Sequence, residues 1–257
     1  ESVAARRRQA QLELLGPDVP QESEVDVDDE LRLAHRAPEI WAVSVAEAEL
    51  LGSPDHTTAV IAHGECAEPS ERPFAERRGI LFVGRLDEAW NPNVDGLRWY
   101  LEEIHPRIVD RLGDVPTTVV GQPGDVDLPR PEGIRFLGRV DDLAPLYDRH
   151  RLFIAPTRFA AGIPKKITGA AAHGLPVVAT HLLAEQLEWR GGKELADGGN
   201  NAPQRFADRV VELYRHEDLW QRLRKNALER VRREHGREAL RRSIEQALDL
   251  ESRPTRS

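Results

Sequence analysis

Lysine and glycine residues follow a short apolar segment in the middle of the chain, and their types suit the binding of a phosphorylated ligand. Leu152 to Ala155 is predicted to be a strand buried on both faces of a parallel sheet, and Pro156 ends it. Gly162, Lys165 and Lys166 come next, ahead of a helical stretch of small residues. Open α/β sheets bind ligands beyond the carboxyl ends of their strands, with anionic groups at helix N-termini. This loop is therefore predicted to hold a phosphate group.

Strands alternate with helices on both sides of this segment. The predicted elements from residue 79 onward are a strand at 80–85, a helix at 94–112, strands at 117–121 and 134–137, a helix at 143–149, strands at 152–155 and 175–179, and helical stretches at 169–172, 202–216, 217–234 and 237–250. Such alternation indicates a parallel sheet with helices on its faces and right-handed crossovers between its strands. The sequence therefore predicts an α/β fold.

Shorter α/β elements precede residue 66. Ile40 to Val43 is predicted to be a buried strand, and Ser44 with Glu47 three residues later forms a capping box that begins a helix. A further strand is predicted at 58–62, followed by polar, turn-rich sequence with the composition of a linker. These elements are too few for a complete domain of this kind, so we expect an incomplete N-terminal α/β segment.

The composition excludes several classes of protein. The 257 residues carry a net charge of −8, which does not indicate a general affinity for nucleic acid, so any phosphate site must be local. A single cysteine, Cys66, rules out an internal disulfide framework and a cysteine-rich zinc site, and is compatible with a reducing compartment. No run approaches the roughly 18 to 20 apolar residues of a membrane span. We therefore expect a soluble, cytoplasmic protein.

Three segments together resemble one protein family. AAGIPKKITGAAAHGLPVVAT at 160–180 is similar to the donor-site segment of nucleotide-sugar glycosyltransferases with the GT-B fold, in the group 1 (family four, retaining) class. Ile80 to Arg85, followed by Asn91 to Asp95, resembles the opening of the nucleotide-binding domain in one branch of that class. Trp41 to Leu50 resembles the last strand and helix of the acceptor-side domain. The resemblance covers roughly residues 35 to 250.

The resemblance implies a Rossmann-like donor-binding domain, preceded by the end of an acceptor-side domain. The implied divisions are the acceptor-side remnant at 1–65, a linker at 66–78, the donor-binding domain at 79–235 and a C-terminal crossover helix at 236–250. The tail at 251–257 is expected to be disordered because chain termini usually are. In the family such a last helix crosses back to the other domain.

The resemblance also implies which residues contact the donor. Family members hold the diphosphate with an arginine and a lysine six residues apart, and here Arg85 and Asn91 occupy those positions. Lys165 and Lys166 can replace the missing lysine from the next loop, and Lys166 matches a lysine of the branch pattern. The implied donor-binding and diphosphate-binding residues are Gly84, Arg85, Asn91, Gly162, Ile163, Lys165 and Lys166, and those close to the nucleotide are Gly121, Leu137 and Gly138. A strand-end salt bridge is the alternative for Arg85, and a solvated helix start is the alternative for Lys166.

Two glutamates that the family places eight residues apart are absent. Their positions fall on Ala161 and Gly169, so the ribose contact implied for the second glutamate is lost. This leaves two hypotheses. The first is a retaining glycosyltransferase that moves a sugar from a nucleoside diphosphate to an unidentified glycan, lipid or small molecule. The second is a degenerate, non-catalytic module that binds a nucleotide or a partner without turnover.

No metal or other cofactor is expected. Asp26 and Asp28 form a D-x-D sequence, but on the predicted helix their side chains do not share a face, so they do not form a metal site. A nucleotide-sugar epimerase of the same fold would need carboxylate and histidine groups beside the sugar, and the sequence contains no such set.

Overall fold

The computed structural model describes residues 4–17, 27–52, 57–122 and 124–251. Its chain forms two compact units. The first contains the residues up to Cys66, the loop Ala160–Ile163 and the residues from Val231 onward, and the second contains Ala67–Phe159 and Pro164–Arg230. Asp26 of the D-x-D sequence and the predicted tail beyond residue 251 lie outside the described residues.

The strands and helices predicted from residue 79 onward are all present and occur in the predicted order. The strands are β1 (Glu39–Ala42), β2 (Thr57–Val60), β3 (Ile80–Val83), β4 (Thr117–Val120), β5 (Ile134–Phe136), β6 (Leu152–Ala155), β7 (Val177–Ala179) and β8 (Ala196–Asp197). The α-helices are α1 (Ala4–Leu15), α2 (Val27–Ala34), α3 (Val45–Leu51), α4 (Pro92–Trp99), α5 (His105–Leu112), α6 (Ala144–Arg149), α7 (Lys165–Ala172), α8 (His181–Gln186), α9 (Pro203–Arg215), α10 (Glu217–Glu234) and α11 (Arg237–Glu251). None of these helices has the length and apolar composition to cross a membrane.

Six parallel strands of the second unit form one sheet. Their order in space is β5-β4-β3-β6-β7-β8. The central strands β3 and β6 are apolar runs whose side chains are almost all buried. Because helices cover both faces of the sheet, these strands lack the polar alternation of a sheet with one wet face. The predicted α/β fold with a parallel sheet flanked by helices is confirmed.

One long helical segment connects β3 to β4, and it begins two residues before the predicted start. Asn91 caps α4, because its Oδ1 accepts a hydrogen bond from the Asn93 N–H at 2.9 Å, and Pro92 occupies the first helical position. A π-helical turn, Tyr100–Ile104, then joins α4 to α5. Gly113 ends α5 with a φ of +67° and a ψ of −144°, a conformation that glycine adopts because it has no Cβ.

The largest differences from the predicted elements lie around β7. The helix predicted at 169–172 begins at Lys165, so both lysines of the loop belong to its first turn. Two elements after β7, α8 and β8, are absent from the prediction. β8 has only two residues and is defined by its pairing with β7, so no apolar run in the sequence indicates it.

The segment 67–78, whose composition predicts a linker, packs within the second unit. Arg77 is fully buried, and its guanidinium donates to the backbone oxygens of Tyr147 at 2.8 Å and His150 at 3.3 Å. The same guanidinium lies 5.2 Å from the ring centre of Trp220. Burial lowers the pKa of Arg77 to about 10. These contacts fasten the segment to the C-terminal end of α6.

The first unit contains the parallel pair β1 and β2, with α3 between them in the chain. The predicted cap of α3 is present: the Ser44 Oγ accepts from the Glu47 N–H at 3.1 Å, and Glu47 Oε2 accepts from the Val43 N–H at 2.8 Å. Helix α11 packs against β2. Nearby, the Ser243 Oγ accepts a hydrogen bond from the Ala62 N–H at 3.1 Å.

Candidate functional site

The candidate site lies at the carboxyl ends of β3 and β6, the two central strands of the sheet. From β3 the chain proceeds to β4 and β5 on one side, and from β6 it proceeds to β7 and β8 on the other. The carboxyl ends of β3 and β6 therefore flank a topological switch point, where open α/β sheets bind their ligands. Gly84 and Arg85 follow β3, and Pro156 and Thr157 follow β6.

Three predicted glycines follow three neighbouring strands at this rim. We call Gly84, Gly121 and Gly138 the glycine shelf. The Gly84 N–H donates to the Val120 oxygen at 3.0 Å, and the Gly121 N–H donates to the Gly138 oxygen at 2.9 Å. All three glycines are partly exposed, as is Leu137 beside them. Because these glycines are partly exposed, a ligand can reach their backbone.

Position 121 requires glycine. A Cβ on Gly121 would lie 2.0 Å from the backbone oxygen of Gly84, and the residue has a φ of +151°. A Cβ on Gly84 would lie 2.9 Å from the Cβ of Asn93, so the glycine shelf also lies tightly against the start of α4. The close approach of these backbones depends on the absence of side chains.

Lys166 supplies a half-buried cation at the same rim. Its Nζ donates hydrogen bonds to Asn93 Oδ1 and, at 3.0 Å, to Thr157 Oγ1, and it lies 5.8 Å from the ring centre of Phe82. Burial lowers the pKa of Lys166 to about 8, because desolvation disfavours the charged form. The ammonium group is still mostly charged at neutral pH. An anion placed beside it would stabilise that charge.

The ammonium group of Lys166 lies at the start of α4, close to the position that lacks the expected lysine. Asn91 occupies that position and uses its Oδ1 to accept hydrogen bonds from the N–H and the Nδ2 of Asn93, at 2.9 and 3.0 Å. Asn93 in turn accepts from Lys166. The ammonium group of Lys166, in α7, therefore contacts Asn93, which is two residues after Asn91.

Arg85 is exposed and paired with carboxylates of its own loop. Its Nε donates to Asp87 Oδ1 at 2.7 Å, and its Nη2 donates to Glu88 Oε1 at 2.5 Å. The hydrogen bond and charge of Asp87, together with the charge of Glu88, raise the pKa of Arg85. This is the strand-end salt bridge that the sequence leaves open as the alternative. Exposed ion pairs contribute little to stability, so exchanging these partners for a phosphate costs little.

The other predicted residues of the β6–α7 loop differ in exposure, since Lys165 is exposed while Gly162 and Ile163 are partly buried. Lys165 begins α7, and its ammonium group makes no hydrogen bond or ion pair with the described residues. Gly162 has a φ of +81°, and Ile163 is half-buried. Both belong to the loop Ala160–Ile163, which groups with the first unit.

An ion pair that the sequence does not reveal joins the exit of β6 to the first turn of α4. The Arg158 Nε donates to Asp95 Oδ2 at 2.9 Å, a second bond joins Nη2 to Oδ1, and the two side chains are only 21% and 10% exposed. Thr157 is held as well, because its backbone oxygen accepts from the Thr180 hydroxyl at 2.6 Å. Arg158 is present in the predicted loop, but its partner lies 63 positions away in the chain, so no local pattern indicates the pair.

Gly169 lies in α7, at the position where the resemblance implies a ribose-binding glutamate. A Cβ there would meet only the Tyr147 hydroxyl, at 3.9 Å. The helix therefore has room for a side chain that the sequence does not supply. Ala161, at the position of the first glutamate, lies in the loop Ala160–Ile163.

The chemistry available at this rim is the binding of an anion. Lys166 and Arg85 supply positive charge, Lys165 adds an exposed ammonium group, and the glycine shelf offers backbone. Across the described ranges, no group of three or more His, Cys, Asp or Glu side chains is arranged to hold a metal ion.

Comparison with known proteins identifies relatives of this chain. A family model described as glycosyl transferases group 1 matches residues 77–216. An uncharacterized 44.6 kDa protein in the cps region of Klebsiella pneumoniae is 27% identical over 128 residues, which are 45% of this chain and 32% of that protein.

Solved structures share the fold. A mutant of S. aureus TarM in complex with fondaparinux, alpha-GlcNAc-glycerol and UDP has a TM-score of 0.71 and 13% identity, covering 91% of this chain and 48% of that one. Anabaena HepE in complex with UDP and glucose has a TM-score of 0.67 and 17% identity, covering 87% of this chain and 66% of that one. This chain thus spans 32% of the curated relative and 48% and 66% of the two structures.

Proposed function

Because this chain belongs to the glycosyl transferases group 1 family, we propose that it forms the donor-binding part of a retaining glycosyltransferase with the GT-B fold. The proposed reaction moves a sugar from a nucleoside diphosphate to an acceptor, which we leave open as a glycan, a lipid or a small molecule. Retention of the anomeric configuration is what the family resemblance implies.

One observation carries the proposal: a half-buried ammonium group lies at the switch point of the sheet. Lys166 is fixed by Asn93, in the first turn of α4 after β3, and by Thr157, in the loop after β6. Neither partner is charged, so the positive charge of Lys166 is not neutralised by these contacts. A diphosphate would supply the opposite charge, in a place where the partly buried setting strengthens the interaction.

The proposed chemistry follows from the charge that develops on the departing nucleoside diphosphate. Cations placed where negative charge increases stabilise the transition state more than the ground state. Lys166 is proposed to contact the diphosphate from one side and Arg85 from the other, after Arg85 releases Asp87 and Glu88. Lys165 is proposed to add a further phosphate contact, and the glycine shelf is proposed to lie beside the nucleoside.

The relatives support a nucleotide-sugar donor, and uridine is the base to test first. The two solved structures described above are complexes with UDP, and both have a similar fold. The proposal includes no metal, because side-chain cations take the role of balancing the diphosphate charge. It also includes a cytoplasmic location, supported by the single cysteine of the chain.

The proposal is tested by titrating the chain with UDP and GDP in a calorimeter, and by following sugar release from UDP- and GDP-sugars. We expect one nucleotide to bind with a dissociation constant below about 100 μM, which corresponds to roughly 5.5 kcal/mol. The matching nucleotide sugar should be hydrolysed slowly, with water in place of the acceptor. Binding only at millimolar concentration, with no hydrolysis of any donor, would contradict the proposed enzyme.

A non-catalytic module is the second candidate, and two observations favour it. Arg85 is paired with two carboxylates, and Gly169 supplies no carboxylate for a ribose. Such a module would bind a nucleotide or a partner without turnover. Micromolar binding of a nucleotide without release of sugar from its sugar conjugate would support this candidate.

We expect Gly169→Glu to tighten UDP binding by about tenfold. The position has open space, and hydrogen bonds to a charged group contribute roughly 1.5 to 3 kcal/mol each. The measurement is the UDP dissociation constant. Gly169→Met is the matched control, because either substitution removes a helical glycine but only glutamate can accept from ribose hydroxyls. Equal UDP affinities for the two variants would show that this position does not contact the ribose.

A further inference from the structure

A second charged cavity lies between α9, α10 and the edge strand β8. Its volume is about 290 Å³, and its walls include Asp197, Arg205, Arg209, Glu212 and Arg222. The floor includes the apolar side chains of Leu219 and Leu223. None of these residues belongs to the proposed donor site at the switch point.

The cavity walls carry one positive charge in excess. Arg205 donates to Asp197 Oδ2 at 3.1 Å, and Arg209 donates to Glu212 Oε2 at 2.5 Å, so two of the three arginines are paired with carboxylates. Arg222 is exposed, and its guanidinium has no hydrogen-bond or ion-pair partner among the described residues. An anion that enters the cavity can therefore bind Arg222 without displacing another partner from its guanidinium.

The size of the cavity indicates a ligand larger than a single phosphate. One water molecule occupies about 30 Å³ of liquid, so 290 Å³ has room for roughly ten heavy atoms, against five in phosphate. The carboxylates of Asp197 and Glu212 can accept hydrogen bonds from hydroxyl groups, and the leucines can contact the carbon side of a polyol. Arginine binds a phosphate group through two parallel hydrogen bonds.

We propose that this cavity binds a small phosphorylated polyol, with Arg222 and Arg209 on the phosphate and Asp197 and Glu212 on the hydroxyl groups. Glycerol 3-phosphate has ten heavy atoms and serves as the probe. The cavity is a binding site in addition to the proposed donor site, and the inference does not depend on donor binding.

The test is a calorimetric titration of the whole chain with glycerol 3-phosphate, inorganic phosphate and glycerol. Glycerol 3-phosphate should bind more tightly than phosphate, and glycerol should not bind. Arg222→Gln should weaken the binding of glycerol 3-phosphate at least tenfold. Arg232→Gln is the matched control, since it removes the same charge from an exposed position of the same helix, outside the cavity. Its affinity should equal that of the unaltered chain.

UDP affinity, measured in parallel, separates this inference from the proposed function. Arg222→Gln should leave it unchanged. The inference is overturned if Arg222→Gln binds glycerol 3-phosphate as tightly as the unaltered chain, or if Arg232→Gln loses as much affinity as Arg222→Gln. It is also overturned if phosphate alone binds as tightly as glycerol 3-phosphate, because the hydroxyl contacts would then contribute nothing.

Discussion

Replacing Lys166 by methionine is expected to weaken UDP binding by about 100-fold, which corresponds to roughly 2.7 kcal/mol. The variant keeps an unbranched side chain of similar size but removes the half-buried ammonium group at the switch point. Losing one partner of a close charge pair at a binding site typically costs 2 to 5 kcal/mol. Calorimetric titration with UDP measures the change.

Folding is not expected to suffer from Lys166→Met. Burial lowers the pKa of Lys166 to about 8, which means that the folded chain disfavours the charge. Methionine carries no charge to desolvate, so the free energy of unfolding should be unchanged or higher. Lys225→Met is the control for charge alone, because Lys225 is exposed on α10 and lies outside the proposed donor site, and its UDP affinity should equal that of the unaltered chain.

The pH dependence of binding provides an independent check on Lys166. Below pH 8 the ammonium group is charged in the folded chain, and the charge is lost as the pH rises through about 8. UDP affinity should therefore be full at pH 7 and fall about tenfold by pH 9, whereas Lys166→Met should lack this decrease. The phosphates of UDP are already ionised in this range. If Lys166→Met binds UDP as tightly as the unaltered chain, Lys166 is not the diphosphate ligand.

The sequence predicts the buried strands of the sheet and the loops that follow them because those features depend on local patterns. The apolar runs of β3 and β6 have no polar alternation, and glycine, proline or charge follows each of them. Such runs indicate strands buried on both faces wherever they occur. The sequence thus locates the rim at which Arg85 and Lys166 lie.

The sequence cannot predict which charges are already paired. Arg85 and Lys166 have similar positions after strands, but Arg85 is exposed and bound to Asp87 and Glu88, while Lys166 has neutral partners. The pairing of Arg158 with Asp95 depends on tertiary contact across 63 positions. Periodicity and composition carry no information on contacts between residues so far apart in the chain. Only the fold shows which cations are already paired with carboxylates.

The same limit applies to the short elements. β8 consists of two residues that are ordered by pairing with β7, and α8 has fewer than two turns. Neither has enough apolar positions to show a period. The cavity with Arg222 is built between β8, α9 and α10, so the sequence gives no indication of it either.

Gly121→Ala is expected to cost roughly 3 kcal/mol of stability and most of the UDP affinity. A methyl group there would lie 2.0 Å from the Gly84 oxygen, so β3 and β4 must separate at their carboxyl ends. Overpacking of this kind typically costs 1 to 3 kcal/mol, and a positive φ adds about 1 to 2 kcal/mol for a residue with a Cβ. Urea unfolding measures the stability, and titration with UDP measures the effect on the glycine shelf.

Gly113→Ala is the control that separates the cost of overpacking from the cost of a positive φ. Its result decides how the glycine shelf is interpreted. Gly113 also has a positive φ, +67°, but a Cβ there would meet nothing within 4 Å. Backbone strain alone should therefore cost about 1 to 3 kcal/mol, and UDP affinity should be unchanged. If Gly121→Ala costs no more than Gly113→Ala, the strand ends can separate freely, and the close backbone approach is not a requirement of the fold. If Gly121→Ala is less stable but binds UDP normally, the glycine shelf supports the sheet and does not contact the nucleoside.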